Sequence, residues 1–444
     1  MIRTFTFLCF LCIVSLSPVF AQWASSGSGL AGNNLKVYSL SVVDDNTVWG
    51  IVRNSTFSAS TPQVTRSADG GSTWDPRSFS VADSLTPVQI FALDDLTAWI
   101  ILSDFNDRDG AGMIKTTTGG IAWTTIAGPF TQAGHNLKSI HFFDANVGVA
   151  FGSAGVGADN QSELHIYRST DAGDNWAELS NLPAILAGEG TWTESGNGGY
   201  EAIGDTIWFG SSEGRVWRSV DRGSTWSVFT ALSSGENLGS LAFKDHLNGL
   251  AITDMNQVYK TTDGGETWSS SAMPNTPPSL RAIEFVPGTS GTYIIHDGSA
   301  FNSRDLTYTN DGGASWFRTN GNFSMDCLAF YDRFTGYGGS TVTNAQVGGV
   351  YTWQGVVPGL TNAPTVTQAG IRLFPSPSEG EILLTWSNQA IWTVDVLSPQ
   401  GQVLAHAKAM AEELQLDLSF LSPGLYWARM NSAGKSHVTS FLIK

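Results

Sequence analysis

The sequence predicts an all-β protein, a seven-bladed β-propeller followed by a small β-sandwich. Three observations carry that reading. Glycine (49), phenylalanine (24) and tryptophan (16) are abundant while only 14% of the 444 residues are charged, a mixture that suits short strands, tight turns and aromatic packing between sheets. An octapeptide of the form S/T-x-D-x-G-x-T-W recurs, and its tryptophans, at 74, 123, 176, 226, 268 and 316, lie 42 to 53 residues apart. That is the spacing of a four-stranded blade. Residues 371–444 lack the octapeptide and alternate apolar and polar positions in about seven short runs, the pattern of half-buried strands.

The chain opens on a leader. Residues 1–21 carry Arg3, an apolar stretch from Phe5 to about Leu16, and then Ser-Pro-Val-Phe-Ala. Val19 and Ala21 put small residues at the −3 and −1 positions, which predicts a secretory signal peptide cleaved before Gln22. Cys12 also follows an apolar run, but Leu11 stands where lipoprotein processing requires a small residue. No later segment reaches the roughly 20 apolar residues of a membrane span. The expected address is extracellular or the outer-membrane surface, by way of the periplasm.

Charge and cysteine count exclude several classes. Arg3 is the only charged residue of the first 21, so the remainder carries 22 basic and 39 acidic residues, a formal −17. Such a field repels a phosphate backbone, and no basic cluster offsets it, so nucleic acid is not an expected partner. Two of the three cysteines, Cys9 and Cys12, sit in the leader and leave Cys327 alone. An internal disulfide and a paired-cysteine zinc site are both excluded.

The repeats come next. They read SADGGSTW (67–74), STDAGDNW (169–176), SVDRGSTW (219–226), TTDGGETW (261–268) and TNDGGASW (309–316), with a degenerate TTTGGIAW (116–123). The aspartate can accept N–H bonds within its own hairpin, the glycine supplies a backbone angle that other residues resist, and the tryptophan packs sideways. The octapeptides resemble the Asp-box, or BNR, repeat of sialidases, sortilin-type receptors and xyloglucanases. The resemblance implies a structural role at the blade periphery for Asp69, Trp74, Asp171, Trp176, Asp221, Trp226, Asp263, Trp268, Asp311 and Trp316. Each box follows an apolar strand, a D-x-x-x-G turn and two further strands, and this grammar gives seven units starting near residues 35, 88, 137, 198, 238, 280 and 325. The seventh ends at Trp353–Gly355 before a fourth strand. QWASSGSG (22–29) supplies the missing one and removes the exposed edges. The propeller is therefore expected over 22–355. Within it, GEGTWTESGNGGYEAIGDTIWFGSSEGRVWRSVDRGSTW (188–226) resembles the photosystem II stability/assembly factor-like propellers, a fold family with no single activity.

Residues 356–370, rich in proline, glycine and threonine, read as a linker. In 371–444, LFPSPSEGEILL (373–384), VDVLSPQGQVL (394–404), LDLSFLSPGLYWARM (416–430) and VTSFLIK (438–444) resemble the type A sorting domain of the type IX secretion system. Pro375-Ser376-Pro377 replaces the usual Pro-Asn-Pro. The resemblance implies an immunoglobulin-like sandwich, engagement with the type IX machinery, outer-membrane translocation, removal of the domain, and attachment to a surface polysaccharide or release. The alternative is a retained binding module.

A complete catalytic set is not legible. Sialidases carry an arginine in an R-I/L-P motif ahead of the first box, whereas VYSLSVVDDNTVWGIVR (37–53) has none, and Arg53 and Arg66 stand alone. Xyloglucanase-like hydrolysis needs two carboxylates across a cleft, commonly between two propellers, and this chain has one. Glu189, Glu194 and Glu201 sit in or beside a long loop. The seven histidines show no metal-ligand spacing, and SDFNDRDGAG (103–112) resembles a calcium loop with its third ligand displaced and Lys115 in place of the final glutamate. No metal or cofactor is expected. The reading is a surface binding or interaction platform for a glycan or a protein. Assembly of other exported proteins and glycan hydrolysis are the alternatives. Ligand contacts are expected opposite the boxes, where 103–112, 154–164, 183–200 and 297–307 break the repeat. Asp104, Asp159, Glu189, Trp192 and Tyr200 are the candidate ligand-binding residues.

Overall fold

The computed structural model describes residues 23–353 and 372–443, apart from 33, 55–61, 82–84, 105–110, 132–134, 154–163, 192–198, 233–235, 274–279, 297–305, 319–324, 334, 375–377, 379, 386–391, 399–401, 410–412 and 433–434. The leader and the 356–370 linker lie outside the described residues. The chain divides into two compact units between Val356 and Val357.

The first unit is a ring of four-stranded antiparallel blades. Blade 3 shows the pattern, with Ser139–Phe142, Gly148–Ser153, Leu164–Ser169 and Ala177–Glu178 paired in chain order. Blades 2 to 6 are separate sheets of this kind, starting at Leu85, Ser139, Tyr200, Leu238 and Ala282. Blade 7 combines Met325–Phe330, Gly336–Asn344 and Val347–Trp353 with Trp23–Ser25 from the N-terminal end. A strand from one end of the chain thus fills the fourth place beside strands from the other and closes the ring. First strands of neighbouring blades lie side by side at six of the seven boundaries, among them Leu35–Val42 beside Leu85–Ala92 and Met325–Phe330 beside Leu35–Val42.

Aromatic rings fill the gaps between blades. Trp99 stacks on Phe142 with centroids 3.9 Å apart, Phe151 on Phe209 at 4.3 Å, and Trp208 on Phe243 at 4.3 Å. Such pairs add about 0.5–1.5 kcal/mol each beyond the area they bury. Polar side chains stitch the same boundaries at the inner wall, where the first strand of a sheet would otherwise leave N–H groups unpaired. Gln89 Oε1 accepts the Ile140 N–H at 2.7 Å, Ser240 Oγ that of Ile283 at 3.2 Å, and Glu201 Oε2 that of Phe243 at 3.3 Å. Gln89 and Ser240 each follow a register shift in the first strand, and the same shift precedes Ser39 and Cys327. Arg53 is buried, with its guanidinium 3.7 Å over the Tyr38 ring and Nε donating to the Pro87 carbonyl at 2.6 Å.

The second unit holds two sheets, Arg372–Phe374, Glu381–Thr385 and Glu413–Asp417 in one, and Val403–Ala409, Trp392–Leu397, Gly424–Ser432 and Lys435–Ile443 in the other. Leu373, Ile382, Leu384, Val396, Met430 and Phe441 are among its buried core. Gly380 has φ +119°, and a Cβ there would meet Ser419 Cα at 2.7 Å, which explains the glycine of that turn. Tyr426 folds its hydroxyl back to donate to the Ser422 carbonyl at 2.8 Å.

Candidate functional site

The two faces of the ring are built differently. In the five boxes with aspartate, Oδ1 accepts the hydroxyl of the residue two places earlier at 2.8 Å. It also accepts the N–H of the residue four places later, as in Thr73 to Asp69 at 2.8 Å. Oδ2 accepts that residue's side chain, at 2.6 Å from Thr73, Thr225, Thr267 and Ser315 and at 2.7 Å from Asn175. These bonds hold Asp69 and Asp171 below the usual carboxylate range, the Thr73 and Asn175 side chains contributing most. In the degenerate box Thr118 Oγ1 accepts the Ala122 N–H at 2.9 Å and replaces one of the carboxylate's bonds. The tryptophans 74, 176, 226 and 268 donate Nε1 to the box glycine carbonyl at 3.0–3.2 Å.

Each box also bonds to the first hairpin of its own blade, as in Gly70 N–H to Asn46 O at 3.0 Å and Ala172 N–H to Asn146 O at 2.9 Å. Both hairpins of a blade therefore share one face. A basic residue just before several boxes reaches the next blade. Lys115 Nζ donates to Ala172 O at 2.9 Å, Arg168 Nε to Arg222 O at 3.0 Å and Arg218 Nη1 to Gly264 O at 3.0 Å, while Arg66 reaches Asp95 O. The R/K-S/T-x-D spacing that places these cations is visible in the sequence, but their reach to the next blade comes only with the ring. A pocket of about 140 Å³ on this face, between blades 5 and 6, is lined by Lys244, Lys260, Tyr293 and Asp311. Its carboxylate, Asp311, is bound inside its own box.

The opposite face receives the turns between second and third strands and the connections between blades. The expected ligand residues fare differently there. Asp104 ends the strand Ala98–Asp104 opposite Leu85, and Asp159 and Trp192 lie outside the described residues. Tyr200 is half-buried and donates its hydroxyl to the Ile140 carbonyl at 2.9 Å, joining blade 4 to blade 3. The Glu189 side chain is buried, 0% exposed. Its Oε1 accepts Trp217 Nε1 at 2.9 Å, and Oε2 accepts Arg215 Nη1 at 2.5 Å and the Leu186 N–H at 2.9 Å. The loop folds back onto the third strand of blade 4, whose arginine and indole need a buried acceptor. Glu189 pins the loop and has no oxygen turned to solvent.

Two features come only with the folded chain, the environment of Glu201 and a cluster of two histidines with a glutamate. Glu201, on the inner wall, keeps its carboxyl raised to about 7 through burial, against the N–H bonds it accepts from Phe243 and Ala202. His135, His165 and Glu178 bring one potential metal-ligand atom each to within 4.8 Å of one another. They are 30 and 13 residues apart in the sequence, and only strand pairing unites them.

Fold and geometry define a propeller of Asp-box repeats joined to a sandwich with the features of a sorting domain. The family described as Secretion system C-terminal sorting domain matches residues 372–444, and Sortilin, neurotensin receptor 3, matches residues 214–333. The chain is accordingly exported by the type IX secretion system to the cell surface or the extracellular space. Among solved structures it is similar to YCF48 bound to D1 peptide, at TM-score 0.53 and 17% identity over 75% of this chain and 97% of that one. A xyloglucanase of Hypocrea jecorina is 25% identical over 56% of this chain and 34% of its own length. Xyloglucanase Xgh74A of Acetivibrio thermocellus is 27% identical over 34% of this chain and 18% of its own. The chain spans about a third or less of these curated relatives. No described helix is long and apolar enough to cross a membrane.

Proposed function

We propose that the propeller is an exported binding platform that takes a glycan or a segment of another protein on the face opposite the boxes. One observation supports this above the rest. The carboxylates of the five aspartate boxes are consumed inside their own turns, so these five aspartates are not available to a ligand. The other face receives the strand ends that carry Asp104 and Tyr200, and Asp159 and Trp192 belong to repeat-breaking segments outside the described residues. A propeller of the same fold has been solved with a bound peptide, which makes an extended protein segment one class to screen. The test is a glycan and protein-partner binding screen with the exported chain, followed by the Trp192→Ala variant. Weaker binding at unchanged melting temperature supports the reading; full affinity, with contacts on the box face, defeats it. Intact-mass analysis of exported material should give an N-terminus at Gln22 and an end within or near 356–370. Retention of 371–444 would instead make that unit part of the working protein.

Glycan hydrolysis is a second reading, favoured by the xyloglucanase relatives. Glu201 is its best-suited described acid, because a carboxyl held near neutrality can deliver a proton to a leaving group. Release of reducing ends from xyloglucan, abolished by Glu201→Gln, would establish it. Inactivity across a broad glycosidase panel would leave binding alone.

A further inference from the structure

The third blade places three donor side chains where its outer strands meet the connection arriving from blade 2. His135 lies on that connection, just before the strand Ser139–Phe142. His165 is the second residue of Leu164–Ser169, and Glu178 ends the short outer strand Ala177–Glu178. Tyr167 and Glu178 are partners in register, so His165, two residues back, projects on the same side of the sheet as Tyr167. His165 Nδ1 and Glu178 Oε1 are 2.6 Å apart, and the His135 and His165 rings stack with centroids 4.1 Å apart at 27°. His135 Nδ1 meets the hydroxyl of Tyr167, itself fully buried, which fixes the ring.

We propose that His135, His165 and Glu178 bind one divalent transition-metal ion of the zinc class. Two imidazoles and a carboxylate are a borderline-soft donor set that suits zinc, and three protein donors leave a fourth position for water or an incoming ligand. Zinc bonds of about 2.0–2.1 Å at tetrahedral angles put neighbouring donors about 3.3 Å apart. The three donor atoms already fall within 4.8 Å of one another; the ion must lie in the plane of both imidazoles, so the His165 ring turns out of its stack on His135 as the site closes. Glu178 is the member freest to move, with 39% of its side chain exposed against 14% for His165. Tyr167 holds His135 from behind as an outer partner, the role that orients metal-binding imidazoles generally. The bound ion ties the inter-blade connection to the third and fourth strands of blade 3. It sits on the face assigned to ligand binding, but the inference does not depend on that assignment.

The experiment uses the full exported chain without a histidine tag, dialysed against zinc chloride and then analysed for metal content. One zinc per chain is expected, with affinity at least tenfold weaker in Glu178→Gln and no uptake in the His135→Ala/His165→Ala variant, whose fold is checked by circular dichroism. Cobalt(II) added to the unaltered chain should give the intense visible absorption of a four-coordinate site, and zinc should displace it. Absence of zinc uptake and of that absorption in the unaltered chain overturns the proposal. Undiminished uptake in the folded double variant overturns it too, placing the metal at other residues. Should the double variant fail to fold, the cobalt spectrum decides alone.

Discussion

Trp23 and Trp353 sit opposite each other in the register of the last blade, their rings edge to face with centroids 5.0 Å apart. The two residues are separated by almost the whole propeller, so this pair closes the ring. Phe330 completes the cluster, 5.8 Å from Trp23. Trp23 is only 3% exposed although its strand spans three residues.

Trp23→Ala should therefore cost about 3–5 kcal/mol, the range for emptying an aromatic site in a core. Deleting 22–29 behind an intact signal should cost more, because it also bares the edge of Val347–Trp353. Chemical denaturation of the purified variants measures both, and an unchanged midpoint in the deletion would mean the ring holds without this strand.

Two boxes contain a residue that their own geometry disfavours. Ala172 and Arg222 have φ of 62° and 58° at the place where the other boxes have glycine. A side chain in that left-handed region costs roughly 1–2 kcal/mol, and glycine gives back roughly 0.5–1 kcal/mol through chain entropy. Ala172→Gly should stabilise the protein by about 0.5–1 kcal/mol. Arg222→Gly should gain less, since Arg222 Nε lies 2.5 Å from Asp205 and Nη1 2.6 Å from Asp144. Those pairs are exposed and screened by solvent, so they offset only part of the gain. Equal gains in the two melting temperatures would show that the arginine's pairs contribute nothing.

Most of the fold is legible in the residues because each box carries its own geometry. Ser219, Asp221, Gly223 and Thr225 bond to one another within seven residues, and such local chemistry survives in a linear reading. The arginine, lysine and glutamine contacts between blades are less legible. Arg168 and Arg222, or Gln89 and Ile140, are joined across about fifty residues by the curvature of the ring. The candidate site was the least legible part. Glu189 reads as a loop acid available to a ligand, and nothing in its neighbours signals that Arg215 and Trp217 will enclose it. His135 and His165 share no motif, because their proximity is a property of strand register.

Glu201 gives a pH dependence with a definite sign. Burial raises its folded pKa from 4.5 to about 7. Between those values the unfolded chain releases a proton that the folded chain keeps, so stability falls as pH rises from 4.5 through 7. The term is on the order of 3 kcal/mol at most. Glu201→Gln keeps an oxygen for the Phe243 N–H and has nothing to ionise, so its melting temperature should fall less than the wild type's between pH 5 and 8. Parallel melting curves across that range would show that Glu201 ionises as easily in the ring as in water.

Glu189→Gln separates a buried structural acid from a ligand contact. The substitution keeps the shape and removes the charge facing Arg215, whose side chain is 9% exposed. An uncompensated buried guanidinium should cost about 3–5 kcal/mol. Replacing both partners by methionine should recover much of that, because neither desolvated charge remains. At a temperature where Glu189→Gln is still folded, ligand affinity should match the wild type, since no oxygen of Glu189 faces solvent. Differential scanning calorimetry, paired with a binding titration at 10 °C or so below the variant's transition, makes the comparison. A lowered affinity at full fold and unchanged melting temperature would return Glu189 to the binding face and mean that the 183–191 loop opens in solution.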